Sequence, residues 1–509
     1  MQALNKKTKE EIIQDRPEFE EILTKTYLFH QLIEEFYNYW RNYERYLVCL
    51  SENGANFDER PYRTFNDTIS LMNDLVRKAY RDVCENLTGD HPTIYRQLSA
   101  GFQVGLIAVK KEWPCPENHS NLKNVPFIRQ VLLNPPLIID PFMNKRTGQF
   151  TRVKSNPLEG YIFDQREWMC YPAIVGDFLI HVYFHNKFIG LGCALSNLFQ
   201  LANNADLKKQ PDAVYAFGLP ENRLHASCSP TIFYDEEEIL FGAVPCSDNF
   251  GYFGYLKKMI LTLHNILAMK KGRMPIHGAM VSIELKQGGN ANVIILGDSG
   301  AGKSESLEAF RILGKEYIRD MTIIFDDMGS LDMKEGKIIA YGTEIGAFVR
   351  LDDLQPGFAF GNLDRSIIMS PQKINARAVL PVTNIEEVLR GYTVDYFLYA
   401  NNYEKIDDKN PYLERFIDKE VAFEIFKKGA VMSKGTTTTT GLVSNYFANI
   451  FGPPQYQELH ETIAKKFFDA MFENNLFIGQ LRTQLGIQGK EITGPEEAAK
   501  ALFRSIQDR

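Results

Sequence analysis

The chain has 509 residues, enough for two to four domains and a sizeable buried core. It is 44% hydrophobic and 24% charged, with a formal net charge of −7 at pH 7. That balance argues against a protein that wraps nucleic acid and leaves room for a local basic pocket. Seven cysteines without a C-x-x-C pair argue against a disulfide framework or a zinc ribbon, so a reducing cytoplasm is expected. The N-terminus is charged from its first residues, and the most apolar long segment, 171–202, is broken by Asp177, His181, His185 and Lys187. A soluble, cytoplasmic protein without a membrane span is expected.

The α/β reading divides the chain in three: a helical region over 1–124, a mixed α/β lobe over 125–249, and a P-loop domain with a mixed sheet over 250–509. In the first region Phe19, Ile22, Leu23, Tyr27 and Leu28 recur at helical spacing, and the aromatics are expected in the core. "NDTISLMNDLVRKAYRDV" repeats the pattern behind an Asn/Asp cap. In the second, "GQFTRV", "EGYIFD", "DFLIHVYFHN" and "EEILFGAV" read as short strands between turn residues.

From 250 the pattern sharpens. "GYLKKMILTLHNILAMKKG" predicts an amphipathic helix stopped by Gly272. "AMVSIEL" and "ANVIILG" predict strands around a "KQGG" turn, and "KSESLEAFRILG" predicts the helix that follows. "MTIIFDD" predicts a strand that ends in paired acids. "KIIAYG", "RSIIMS", "RAVLPV" and "DYFLYAN" continue the strand pattern, and helices return after 454. Thr436–Thr440 reads as an exposed loop.

Between the second strand and its helix lies G-x-x-x-x-G-K-S, spanning Gly297, Asp298, Ser299, Gly300, Ala301, Gly302, Lys303 and Ser304, with Glu305 next. Strand, glycine-rich loop and helix together are the context in which such a loop cradles phosphates. Its backbone N–H groups turn inward and the helix N-terminus adds positive potential. Lys303 should reach the β- and γ-phosphates, and Ser304 should ligate a divalent metal. Asp326 and Asp327, one element later, are placed to hold that metal directly or through water. His277 precedes the strand before the loop, and Lys257 and Lys258 open the preceding helix. A neutral histidine and a neutral lysine suit Mn²⁺ better than Mg²⁺, and burial beside a cation lowers a lysine pKa enough to allow it.

The order of these segments resembles the ATP-dependent phosphoenolpyruvate carboxykinases. In that family a Tyr-x-Gly-x-x-Lys-Lys segment, a histidine segment, a phosphate loop and a paired-acid strand follow one another. Here they read "YFGYLKK" (252–258), "PIHGAM" (275–280), "GDSGAGKSE" (297–305) and "FDDMG" (325–329). "TEIGAFVR" (343–350), "NARAVLPV" (375–382) and "GTTTTTGLVSNYFANIFGPP" (435–454) are similar to three further stretches. The resemblance covers about half the chain, roughly 250–509. It implies conversion of oxaloacetate and ATP to phosphoenolpyruvate, CO₂ and ADP, with Mg²⁺ and Mn²⁺ as cofactors and no nucleic-acid or membrane partner.

It also implies roles. Tyr252 and Arg152 would contact the substrate carboxylate. Lys258, His277 and Asp327 would ligate the catalytic metal. Lys257 would neutralise the transferred phosphoryl group, Lys303 and Ser304 would hold the nucleotide and its metal, and Arg377 would bridge the γ-phosphate and the substrate. The chain departs from the family where the loop ends Lys-Ser-Glu, where Arg350 replaces a lysine, where threonines replace an arginine near the nucleotide, and throughout its N-terminal hundred residues. "HGAMVSIEL…VIILGDSGAGKSES" is also similar to the HPr kinase/phosphorylase family, which implies the same core with another acceptor. A regulator that binds nucleotide without turnover is the third expectation.

Overall fold

A computed structural model describes the chain except for residues 52–62, 92–93, 95–97, 225–228, 299, 352–360 and 435–439. The chain is mixed α/β and falls into two compact units. One comprises Met1–Lys110 and Ile128–Leu137; the other comprises Lys111–Phe127 and Ile138–Arg509. The expected boundary near 249 therefore lies inside one unit. Among the described residues no helix is long and apolar enough to cross a membrane.

The smaller unit is not purely helical. Helices α1 (Thr26–Asn42) and α2 (Arg63–Thr88) accompany parallel strands β1 (Tyr46–Ser51) and β2 (Val104–Val109). Its apolar seam gathers Leu23, Ile33, Val83, Cys84 and Leu87. Of the five periodic residues expected in the core only Leu23 is buried; Phe19, Ile22, Tyr27 and Leu28 are exposed. The spacing is helical, but the seam engages one narrow stripe of each helix.

Among the sheets of the larger unit, the two largest share a helix. The first contains β3 (Trp168–Val175), β4 (Phe178–His185), β5 (Ala213–Leu219) and β6 (Leu240–Pro245), in that order. "EGYIFD" is irregular rather than a strand. Helix α3 (Phe253–Lys270) packs against strands of both sheets and is buried almost all round. It was expected to be amphipathic; with apolar sheets on two sides it has no solvent face to satisfy. This shared helix is why 125–249 and 250–509 do not separate.

The second sheet carries the glycine-rich loop Gly297–Ser304. Strands β7 (Met274–Leu285), β8 (Asn290–Leu296), β9 (Ile318–Lys334), β10 (Tyr396–Asn401) and β11 (Phe477–Arg482) run in the order β9–β7–β8–β10–β11. β8, β10 and β11 are mutually parallel, and β7 is antiparallel to β8 and β9. Helices α4 (Lys303–Tyr317) and α5 (Thr493–Gln507) seal one face through Leu307, Phe310, Ala498, Leu502 and Phe503. The acid pair does not end its strand. β9 continues seven further residues, of which Gly329–Lys334 pair with Lys337–Gly342, after a bulge beside Met280/Val281.

Candidate active site

The loop leaves β8 at the carboxyl ends of parallel strands β8, β10 and β11, where open α/β sheets place ligands. Gly300 and Gly302 adopt φ of +81° and +105°, open to glycine at little cost. A Cβ at Gly302 would lie 2.8 Å from the Thr483 hydroxyl oxygen. Neighbouring strand ends clamp the loop: Asn402 donates to the Gly300 carbonyl at 2.9 Å and Thr483 to that of Ala301 at 3.1 Å. Asn445 donates to the Asp298 carboxylate. Lys303 folds back over the loop, its Nζ donating to the Gly297 carbonyl at 2.6 Å and lying 3.4 Å from His277 Nε2. Ser299 lies outside the described residues, as do the side chains of Ser304 and Glu305, whose backbone opens α4.

Asp327 is the hub. Its Oδ2 receives Lys257 at 2.6 Å and Lys258 at 2.7 Å, and its Oδ1 lies 2.9 Å from His277 Nε2. These residues come from α3, β7 and β9, so the second turn of one helix and two sheet strands meet at the loop. Asp326, beside it, adds to the negative field on Lys257. Buried Glu344 carries an oxygen 3.4 Å from Lys257 Nζ.

The charges settle one another. Burial alone would raise the Asp327 pKa, but Lys257 and Lys258 outweigh it and hold the carboxyl well below its usual range. Burial pushes the Lys258 ammonium down to about 8, with Lys257 adding to the drop and Asp327 opposing it. Burial would lower Lys257 too, yet Asp327 and Glu344 raise it. Burial pushes Glu344 up to about 7 against the pull of Lys257. For His277, burial and then Lys303 and Lys258 lower the pKa, so the ring is neutral near pH 7.

That neutrality tests whether a divalent ion fits. His277 Nδ1 lies 2.6 Å from the Ala448 carbonyl, which can only accept, so Nδ1 carries the ring's one proton. Nε2 therefore turns a bare lone pair toward Asp327 Oδ1. Lys303, 3.4 Å from Nε2, and the two lysines on Oδ2 bring positive charge to this pair, and its spacing also suits a divalent ion. Ligands about 2.1 Å from an octahedral ion at right angles lie about 3 Å apart, which matches the 2.9 Å separation. The set of imidazole, carboxylate and low-pKa amine suits Mn²⁺, and the Ala448 carbonyl orients the histidine from behind. Phe447 and Ala448 both have positive φ, +49° and +53°, a strained turn that aims this carbonyl.

Phe348 lies beside the Tyr252 ring, with centroids 5.9 Å apart, and its ring lies 5.3 Å from the Arg377 guanidinium. Both predicted residues thus flank one aromatic. Arg152 is elsewhere, a correction to the sequence reading. Its Nε donates to Asp235 at 2.6 Å, and Asp235 also meets Lys270 at the far end of α3 from Lys257. Thirteen helical residues separate Lys257 from Lys270, about 20 Å. Arg146, six residues earlier, lies on the side of the lysine cluster. Its guanidinium lies 5.0 Å from the Phe451 ring, which Lys258 Nζ approaches at 4.5 Å, and it feels the charge of Asp298. Sequence reading also missed Glu344, although "TEIGAFVR" was singled out around it.

The assembled site is a buried cluster in which cations outnumber anions, set on a glycine-rich loop within a protein of negative net charge. No protein-family model matches the chain, and no curated protein matches it.

Proposed function

We propose that this chain is a phosphoryl-transfer enzyme of the phosphoenolpyruvate carboxykinase type, converting oxaloacetate and ATP to phosphoenolpyruvate, CO₂ and ADP. One observation carries the reading: Lys257, Lys258 and His277 each lie within 2.9 Å of an Asp327 carboxylate oxygen, with Lys303 of the loop 3.4 Å from His277. In this reaction the bond to the departing carboxylate breaks, its electron pair forms an enolate, and the enolate oxygen takes the γ-phosphoryl group from ATP, which leaves as ADP. Negative charge is redistributed throughout, so positioned cations are what the chemistry requires.

The chain's residues divide that work. Lys303 exchanges the Gly297 carbonyl for phosphate oxygens when nucleotide enters. Lys257, held charged by Asp327 and Glu344, faces the transferred phosphoryl group. Arg146 and Arg377 bind the substrate anion beside Tyr252. His277, Asp327 and Lys258 would hold a divalent ion, which would supply Lewis acidity to the reaction.

The test is a coupled assay of purified protein with oxaloacetate, ATP, Mg²⁺ and Mn²⁺. Phosphoenolpyruvate formation that requires both substrates is expected. ATP binding without that product overturns the carboxykinase reading.

Glu344 favours a second reading. An enolate acceptor needs no base, whereas a hydroxyl acceptor does, and a carboxyl near pKa 7 is suited to the task. This reading keeps the loop and the cation cluster and changes the acceptor, as in HPr kinase-like enzymes.

A further inference from the structure

The smaller unit carries a second cluster of ligating side chains, outside the site described above. His30 and Glu34 lie one turn apart on α1, and Cys84 faces them from α2. One ligand atom from each falls within 4.8 Å of the other two. His30 Nε2 and Glu34 Oε1 are 3.6 Å apart. Zinc bonds of about 2.0–2.3 Å at tetrahedral angles place ligand atoms about 3.4–3.6 Å apart. The pair is therefore already spaced for a shared ion, and the thiol needs a shift of about 1 Å at most by the same geometry.

We propose that His30, Glu34 and Cys84 bind one zinc-class divalent ion that pins α1 to α2. The donor set is imidazole, carboxylate and thiolate, which selects Zn²⁺ over Mg²⁺ or Ca²⁺. Three protein ligands leave the fourth position to water. Cys84 binds as the thiolate and releases its proton to solvent. The Tyr80 hydroxyl donates to Glu34 Oε1, the oxygen that also faces His30, and so orients the carboxylate at the cluster itself. The Tyr80 ring stacks on Tyr37 of α1 at 4.0 Å, so the orienting group is itself held. Cys84 closes the buried side of the cluster, while His30 and Glu34 are each more than one third exposed and give the ion a way in.

The experiment uses the full chain, stripped with chelator and titrated with Co²⁺. A near-ultraviolet thiolate-to-cobalt charge-transfer band saturating at one Co²⁺ per chain is expected, displaced by Zn²⁺ and unaffected by Mg²⁺. Cys84→Ser abolishes the band. His30→Gln, at a partly exposed position that the fold tolerates, weakens Co²⁺ at least tenfold. Tyr80→Phe weakens it about tenfold. His277→Ala leaves the band intact, which separates this site from the one on the phosphate loop. A wild-type protein without the band overturns the proposal, as does a band that survives in Cys84→Ser or keeps its affinity in His30→Gln.

Discussion

His277 and Asp327 meet across strands β7 and β9, with Nε2 2.9 Å from Oδ1. The register opposes Asp327 with Gly278, which has no side chain, and lets the preceding histidine reach diagonally to the carboxylate. Asp327 also receives two lysines from α3, so one carboxylate joins three elements. Removing one partner from such a buried cluster costs about 3–5 kcal/mol, because like charges are left uncompensated. Asp327→Asn should lose stability on that scale, together with activity. Urea unfolding beside the wild type checks this; an unchanged midpoint would show that the lysines find other partners.

Lys303→Ala should abolish turnover while leaving the fold intact. The lysine's own bond is to the Gly297 carbonyl of the loop, and Asn402 and Thr483 clamp the loop independently. Circular dichroism and ATP titration separate the two effects. Full activity in this variant would remove the loop from the chemistry.

His277→Ala should erase activation by Mn²⁺ and leave any dependence on the nucleotide's own Mg²⁺. The variant loses the only imidazole facing Asp327 among the described residues and keeps the loop intact. Rates measured against Mn²⁺ at saturating Mg²⁺ give the answer, and an unaltered Mn²⁺ response would sink the assignment of this ligand.

Arg146 and Arg152 should behave differently. Arg146→Ala should raise KM for the anionic substrate at least tenfold, since its guanidinium shares the Phe451 ring with Lys258. Arg152→Ala should leave KM unchanged and lower stability modestly, through the freed Asp235. Steady-state kinetics on both variants decide between them; the reverse pattern would restore Arg152 to the site.

Acid should unfold the protein steeply. Burial pushes His181 down to about 3 and His264 and His460 to about 4. In the unfolded chain each titrates near 6.5, so below that pH the unfolded state binds more protons and stability falls. The stabilisation is complete above pH 6.5 and is lost toward pH 4, each histidine contributing about 1.4 kcal/mol per pH unit. Urea midpoints between pH 7 and 4.5 test this, and the steepness should drop in His460→Asn.

The loop, its strand and its helix were legible in the sequence because each depends on residues within about a dozen positions. Four apolar residues, two glycines with positive φ and a helix start suffice to specify that unit. The lysines at the head of α3 and the histidine of β7 were legible for the same reason, through their distance along the chain from the loop. What periodicity could not decide was which face of a segment meets which neighbour. Arg146 and Arg152 lie six residues apart in one stretch, and only the packing of that stretch against Phe451 and Asp235 assigns one to the site and the other to the far end of α3. Glu344 and the Ala448 carbonyl were invisible in the same way, since they act through contacts across 87 and 171 positions of the chain. Local spacing and conformational preference determine the elements. Register, bulges and the burial of a helix between two sheets determine which charges share a dielectric, and those are properties of the folded whole.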